Sequence, residues 1–386
     1  MNRKLRLAMI GGGADAFIGA VHRTALSMDG KIELVAAALS SRPDVAIASG
    51  KQLHLADDRI YTDYKTMLEQ EALRTEAEGR IDMVSIVTPN SVHFGPAKLA
   101  LQKGFHVVLE KPITFSLEEA KELSAIVKAT GKRLLLCHTY TGYPMVKQAR
   151  QLVKSGAIGK VRKIYVEYPQ GWLSTLLEQT GQVQASWRTD PKRSGKAGAM
   201  GDIGTHAFNL AEYISGLQVT QVCADLNILV DGRLLDDDGA VLMKMNNGAS
   251  VVLMASQIAA GDENCIKIRV YGEKAGIEWK QDDANSLLVK WLDKPAELYR
   301  TGGGYNSSFA AHNTRVPAGH PEGYLEAFAN LYRNFALTIM AESDGITPKE
   351  EWLDFPGVEE GVRGMAFIEN VVASSASDKK WTAFEV

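Results

Sequence analysis

A short apolar run that breaks at once into three glycines most narrows what this chain can become. Leu5–Ile10 is apolar apart from Arg6, and Gly11-Gly12-Gly13 leads from it into a helix-like stretch through Ser27. Similar runs recur at Ile32–Leu39, Met83–Val87, Val107–Leu109 and Leu134–Cys137, with a short strand candidate at Arg59–Tyr61. Helical stretches separate them. One covers Asp44–Leu53, one runs from an Asn90 N-cap to Gly104, and one opens with the capping box Ser116-Leu117-Glu118-Glu119 and stops at Gly131. Strands apolar on both faces, alternating with helices, predict a parallel sheet covered on both sides. Right-handed crossovers make it a doubly wound, Rossmann-type domain.

The pattern changes after about Tyr140. In Lys163–Tyr168, Ile164, Val166 and Tyr168 share one face, and Asn264–Tyr271 alternates in the same way. Ala240–Met245 and Ala249–Met254 flank Asn246-Asn247-Gly248, a hairpin signature. Period-2 alternation predicts a large, mainly antiparallel open sheet with one face on helices at Pro144–Ser155, Asp202–Ser215, Gly323–Met340 and Val358–Ser374. The expected organisation is an α/β chain. Residues 1–139 form a dinucleotide-binding domain, and residues 140–386 form an α+β domain for substrate binding and oligomerisation. The last helix, about 358–375, is placed to pack back on the first domain. The ligand cleft is expected between the halves.

Composition excludes several classes of function. Across 386 residues, 46 acidic and 43 basic side chains leave no electrostatic footprint for nucleic acid. Cys137, Cys223 and Cys265 are far apart, which fits a reducing compartment and no disulfide framework. No apolar run reaches the roughly 18 residues of a membrane helix. The basic start is followed by too short an apolar stretch for a signal peptide. The chain reads as cytoplasmic, with a small molecule as its partner.

A glycine turn directly after a buried strand lets backbone amides approach a pyrophosphate at a helix N-terminus. Gly11, Gly12 and Gly13, with Phe17 and Ile18 at the start of the helix, form that candidate site. The usual spacing would put the last glycine at position 16, where Ala16 stands; the next glycine is Gly19. The second strand ends in Ser40-Ser41-Arg42 with no acidic ribose ligand, so NADP is acceptable as well as NAD. Arg42 is either a partner for a 2′-phosphate or a solvated loop residue. Val87-Thr88-Pro89-Asn90-Ser91-Val92-His93 sits where such sheets bind ligands, and its plain structural reading is an N-cap with a loop proline. Glu110-Lys111-Pro112 ends a buried strand with two charges, which is costly unless they are solvated or used. In Gly201-Asp202-Ile203-Gly204-Thr205-His206, the carboxylate and imidazole are four apart and share one helix face. That spacing suits a carboxylate orienting a proton-transferring histidine, although a surface pair is the default reading. No third ligand clusters nearby, so no metal is expected. Asp236-Asp237-Asp238 reads as a solvated loop rather than a cation site, and His320 as a loop histidine with some chance of reaching substrate.

The three-glycine turn, Glu110-Lys111-Pro112 and Gly201-Asp202-Ile203-Gly204-Thr205-His206, in this order, resemble the glucose–fructose oxidoreductase, inositol dehydrogenase and rhizopine-catabolism (Gfo/Idh/MocA) family over essentially the whole chain. The resemblance implies catalytic roles for Lys111, Asp202 and His206. It implies that Thr88, Pro89, Asn90, His93 and Glu110 line the nicotinamide and its ribose, and that Trp187-Arg188 resembles a stretch contacting the coenzyme. It also implies sugars, inositols or related polyols as substrates. An open sheet with one alternating face suggests a homodimer or homotetramer, as the resemblance also implies. Two rivals stand beside a dehydrogenase. One is glycoside cleavage by transient oxidation and elimination. The other is a non-catalytic regulator, which the presence of both Lys111 and His206 disfavours.

Overall fold

Apolar residues that cannot face water on either side fix the first sheet. The computed structural model describes residues 3–13 and 16–386. In it the N-terminal runs become β1 (Leu5–Gly11), β2 (Ile32–Ala38), β3 (Met83–Val87), β4 (His106–Leu109) and β5 (Leu134–Leu136). All are parallel, in the order β2-β1-β3-β4-β5, and β3 is buried at every position. Helices α1 (Phe17–Met28), α2 (Pro43–Gln52), α3 (Tyr64–Leu73), α4 (Phe94–Gln102) and α5 (Leu117–Thr130) connect them. The order reverses beside β1, and Gly11 lies level with Val87 at the carboxyl ends of β1 and β3. That crevice is where open α/β sheets bind ligands.

The Ser116 half of the capping box forms, Ser116 Oγ accepting from the Glu119 amide at 3.2 Å, while Glu119 Oε2 accepts from the Phe115 amide at 3.1 Å; Gly131 closes α5 at φ 65°. Two expectations need correction. Arg59–Tyr61 is not a strand. A 3₁₀ turn covers Asp57–Arg59, and one bridge joins Ile60 to Ala37. The Arg59 guanidinium and the Tyr61 hydroxyl both go instead to the buried Glu71 carboxylate. Nor does Asn90 open the α-helix. It starts a 3₁₀ turn through Val92, its side chain is buried, and α4 begins at Phe94.

The second half forms a nine-stranded sheet from β6 (Lys163–Pro169), β7 (Val219–Asn227), β8 (Asp238–Met245), β9 (Ser250–Ser256), β10 (Lys267–Tyr271), β11 (Ala275–Lys280), β12 (Ser286–Trp291), β13 (Glu297–Arg300) and β14 (Thr382–Ala383). The order is β13-β12-β11-β10-β6-β9-β8-β7-β14. Neighbours run antiparallel except β6 and β9, which are parallel. Ile164, Val166 and Tyr168 are buried together with Val241, Met243, Val251, Leu253, Ile268 and Val270, so the alternation does set the inward face. Gly248 (φ 87°) makes the β8–β9 turn, its amide donating to the Met245 carbonyl at 2.9 Å. The remaining helices are α6 (Pro144–Lys154), α7 (Val183–Arg188), α8 (Pro191–Ser194), α9 (Thr205–Ser215), α10 (Ser308–His312), α11 (Tyr324–Ser343) and α12 (Val358–Ser375).

A single cut after residue 139 does not describe the chain. One compact unit holds the residues up to Thr139 and also Phe328–Val362; the other holds Tyr140–Ala327 and Arg363 onward. The later segment joins the parallel sheet because its side chains complete that core. Phe335 meets His106 edge-on at 6.4 Å, and the Leu136 amide donates to the Pro356 carbonyl at 2.9 Å. Among the described residues no helix is long and apolar enough to cross a membrane.

Candidate active site

In the first unit the glycines do distinct jobs. Gly11 and Gly12 take φ of 75° and 71°, which a side chain would disfavour. Gly19, in α1, is pressed against Gly12, and a Cβ on Gly19 would stand 2.2 Å from the Gly12 carbonyl oxygen. Close helix–strand packing is the job of the third glycine in a dinucleotide fingerprint, so Gly19 fills that role despite its late position. Gly13 lies close to the Leu39 carbonyl, where a Cβ would approach to 3.0 Å. At the N-terminus of α1, Phe17 is 70% exposed. Ser40 Oγ accepts from the Arg42 amide, and Arg42 is exposed just before Pro43 opens α2.

Across the crevice from Gly11 stands Thr88, whose Oγ1 is buried and finds no hydrogen-bond partner among the described residues. A cradle of positive-φ glycines beside an orphaned buried hydroxyl suits a dinucleotide that brings its own polar groups. His93 is turned inward. Its ring nitrogens lie 2.8 Å from the Thr88 and Pro112 carbonyls, so it ties two loops of the carboxyl edge together. Burial lowers its basicity, against the pull of those carbonyls.

Glu110 and Lys111 leave β4 on the same edge, and a cis peptide joins Lys111 to Pro112. Glu110 Oε2 accepts from the Lys111 amide at 3.1 Å, and Oε1 lies 2.8 Å from His22 Nε2. Burial works against the Glu110 charge, but the His22 hydrogen bond and the neighbouring Lys111 cation still hold the carboxyl below its usual range. His138, just past β5, is pushed down to about 3 by burial and by the Lys111 cation, so it is neutral at physiological pH. Cys137 approaches His22 and Glu110 closely enough for three metal-type donor atoms to lie within 4.8 Å. Burial, with the Glu110 carboxylate, pushes the Cys137 thiol up, away from the thiolate a metal needs, and His22 and Glu110 already bond each other.

In the second unit, Met200–Gly204 forms a π-helical turn that runs into α9. π-turns inside helices concentrate at functional sites. Asp202 lies in this turn and His206 in the first turn of α9, 8% exposed. Asp202 Oδ2 accepts from Arg188 Nε at 3.1 Å and from Gln257 Nε2 at 2.9 Å. The Arg188 guanidinium also sits 4.3 Å from the Trp187 ring. Tyr140 meets His206 edge-on at 4.9 Å and bonds the Tyr168 hydroxyl, which donates to Asn264 Oδ1 at 2.6 Å. Burial pushes both phenols up, so they remain protonated.

The aspartate run before β8 needs correction: Asp236 and Asp237 are buried. Asp236 accepts from the Gly198 and Met200 amides at 2.6 and 2.7 Å, and so clamps the entry to the π-turn. Asp237 holds the Leu229 and Val230 amides. His320 is an exposed loop histidine beside the Pro317 carbonyl. Sequence reasoning missed His22, Ser85, His138, Tyr140, Tyr168, Gln257 and Tyr332. Only His22 left a signal, as a histidine three residues after Gly19 on an otherwise apolar helix face.

Residues 5–138 match the model of an oxidoreductase family with an NAD-binding Rossmann fold, and residues 146–278 match the GFO/IDH/MocA C-terminal domain. The chain is 31% identical to the uncharacterized oxidoreductase YfiI of Bacillus subtilis, over 100% of this chain and 98% of that one. An inositol dehydrogenase homologue from Azotobacter vinelandii, solved with NAD+, is 34% identical with a TM-score of 0.93, covering 100% and 98% of the two chains. The same homologue is solved with NADH and myo-inositol. An oxidoreductase from Sinorhizobium meliloti is 42% identical with a TM-score of 0.88, covering 99% and 100%. With both of its halves matched and relatives alike along their whole length, this chain is an NAD-binding oxidoreductase of the Gfo/Idh/MocA family.

Proposed function

We propose that this protein oxidises a secondary hydroxyl of a sugar, inositol or related polyol, with NAD or NADP as coenzyme. The observation that carries the reading is Lys111 at the carboxyl edge of the parallel sheet, beside a glycine cradle and the orphaned Thr88 hydroxyl. Gly11, Gly12, Gly13, Phe17 and Ile18 hold the pyrophosphate. Ser40, Ser41 and Arg42 meet the adenosine side, and Thr88, Pro89, Asn90 and Glu110 the nicotinamide side. His93 braces these loops, and Trp187 and Arg188 take the family's coenzyme-contact role. When bound, the nicotinamide supplies the hydride acceptor. The Lys111 ammonium hydrogen-bonds the substrate oxygen and offsets the charge that grows there. A ring nitrogen of His206 takes the hydroxyl proton, the imidazole being oriented by an Asp202 carboxylate that Arg188 and Gln257 clamp.

A panel of sugars and inositols, scored by the absorbance of reduced nicotinamide with NAD and with NADP, tests the reading. Reduction with at least one polyol is expected. Failure with every member, in a protein that binds the coenzyme, overturns it. Release of sugar from an aryl glycoside without added coenzyme would indicate oxidation with elimination instead. Ser40→Asp is expected to disfavour NADP by repelling its 2′-phosphate. The outward face of the large sheet exposes Tyr165, Leu242, Met254 and Leu298, and supports a homodimer or homotetramer measurable by light scattering.

A further inference from the structure

Helix α1 carries a second inward group, His22, three residues beyond the glycine that presses on Gly12. His22 is fully buried and lies between the Phe328 ring, edge-on at 4.7 Å, and the Tyr332 ring at 5.8 Å. Its Nδ1 is 2.6 Å from the Tyr332 hydroxyl, which is 3.0 Å from Ser85 Oγ. Its Nε2 is 2.8 Å from Glu110 Oε1, and Glu110 Oε2 accepts from the Lys111 amide. A carboxylate only accepts, so His22 Nε2–H donates to it. Nδ1 meets the Tyr332 hydroxyl on the other side of the ring, and Ser85 Oγ closes the row behind it. Every group in the row is satisfied, and each hydrogen bond polarises the next toward Glu110. Ser85 and Tyr332 are buried, so the row has no exit for a proton. It is a brace rather than a relay.

We propose that His22, backed by Tyr332 and Ser85, is a positioning residue for Lys111, acting through the Glu110 carboxylate. The proposal rests on the role given to Lys111 above. Ligand-orienting partners of this kind are typically worth 10- to 100-fold when removed, because a loosened supporting shell misplaces the reacting group. The same α1 also sets Gly12, so one helix fixes the spacing between the coenzyme loop and Lys111.

The test uses His22→Leu, His22→Gln and Tyr332→Phe, each alone and combined with Lys111→Ala. Tyr332→Phe deletes one oxygen and keeps the ring, so it guards against a misfolded His22→Leu. With the wild-type Lys111, kcat is expected to fall about 10- to 100-fold in His22→Leu and about 3- to 10-fold in Tyr332→Phe. KM and coenzyme affinity should change little, and His22→Gln, which keeps a donor, should recover much of the loss. In the Lys111→Ala background the same changes should cost less than about twofold, since the group they position is gone. Without any substrate, competitive acetylation read by mass spectrometry should show the Lys111 amine modified about threefold or more faster in Tyr332→Phe, relative to surface lysines. Additive losses in the Lys111→Ala background, or unchanged acetylation, overturn the proposal. Altered acetylation in a protein that oxidises no polyol would sink the functional reading and leave the brace standing.

Discussion

The glycine crevice of the first unit and the Asp202–His206 region of the second are built by opposite means. The crevice is mostly backbone: two positive-φ glycines, a helix pressed onto a loop, and a strand-order reversal that opens the carboxyl edge. The second region is mostly side chains drawn from distant parts of the chain. Arg188 and Gln257 converge on one carboxylate oxygen of Asp202, and Asp236 clamps the turn that carries it. Backbone-built sites tolerate change wherever a side chain points outward and fail where a Cβ must fit. Side-chain-built sites fail by degrees, as single charges and hydrogen bonds are lost.

Substitution in each region should separate binding from chemistry. His206→Ala is expected to lower turnover by about 10²–10⁴-fold with coenzyme affinity nearly unchanged, and Lys111→Ala by at least as much, since it also removes charge stabilisation. Steady-state kinetics beside a coenzyme titration checks this. Near-normal turnover in His206→Ala would make the histidine structural and erase the contrast. Gly19→Val should do the reverse. Its side chain collides with the Gly12 carbonyl, so coenzyme binding should weaken at least about 100-fold in calorimetric titration, more than any outward-facing change in the same loop. Unaltered binding would mean that the loop yields easily.

Acid should strike the first unit through two histidines, the half-buried His106 and the buried His138. Burial, reinforced by the Lys132 cation, pushes His106 down to about 4, and His138 lies at about 3. Both folded values are below the ordinary 6.5, so the unfolded chain takes up these protons first as pH falls. Their contribution is complete above about pH 6.5 and declines toward pH 4 and 3, at roughly 1.4 kcal/mol per pH unit for each. His106→Gln keeps an acceptor for the Arg133 amide that Nδ1 now accepts. It should flatten the decline in melting temperature between pH 6.5 and 4, and an identical curve would refute the assignment.

Much of the fold was legible because burial on both faces, alternation and caps are local signals. Leu5–Ile10, Met83–Val87 and the Ser116 cap needed nothing from the rest of the chain. What escaped was decided at long range. Arg59 and Tyr61 look like strand until the buried Glu71 claims both side chains. Asp236 and Asp237 look solvated until backbone amides from two loops turn toward them. Tyr332 stands 310 positions from His22, and no spacing rule joins them. The short Glu110-Lys111 and Asp202–His206 motifs marked the candidate site, whereas the groups that hold them came from folding alone.

The orphaned Thr88 hydroxyl makes the coenzyme-free protein store a deficit. Leaving a buried hydroxyl unmatched costs about 1–3 kcal/mol, and a bound coenzyme that hydrogen-bonds it returns that amount only in the liganded state. Thr88→Val, nearly the same shape without the oxygen, should therefore melt at higher temperature than wild type when empty and gain less from added NAD. The melting temperature of the natural protein should then climb more steeply with added dinucleotide than that of Thr88→Val, so that one buried oxygen makes its thermal stability a gauge of coenzyme occupancy.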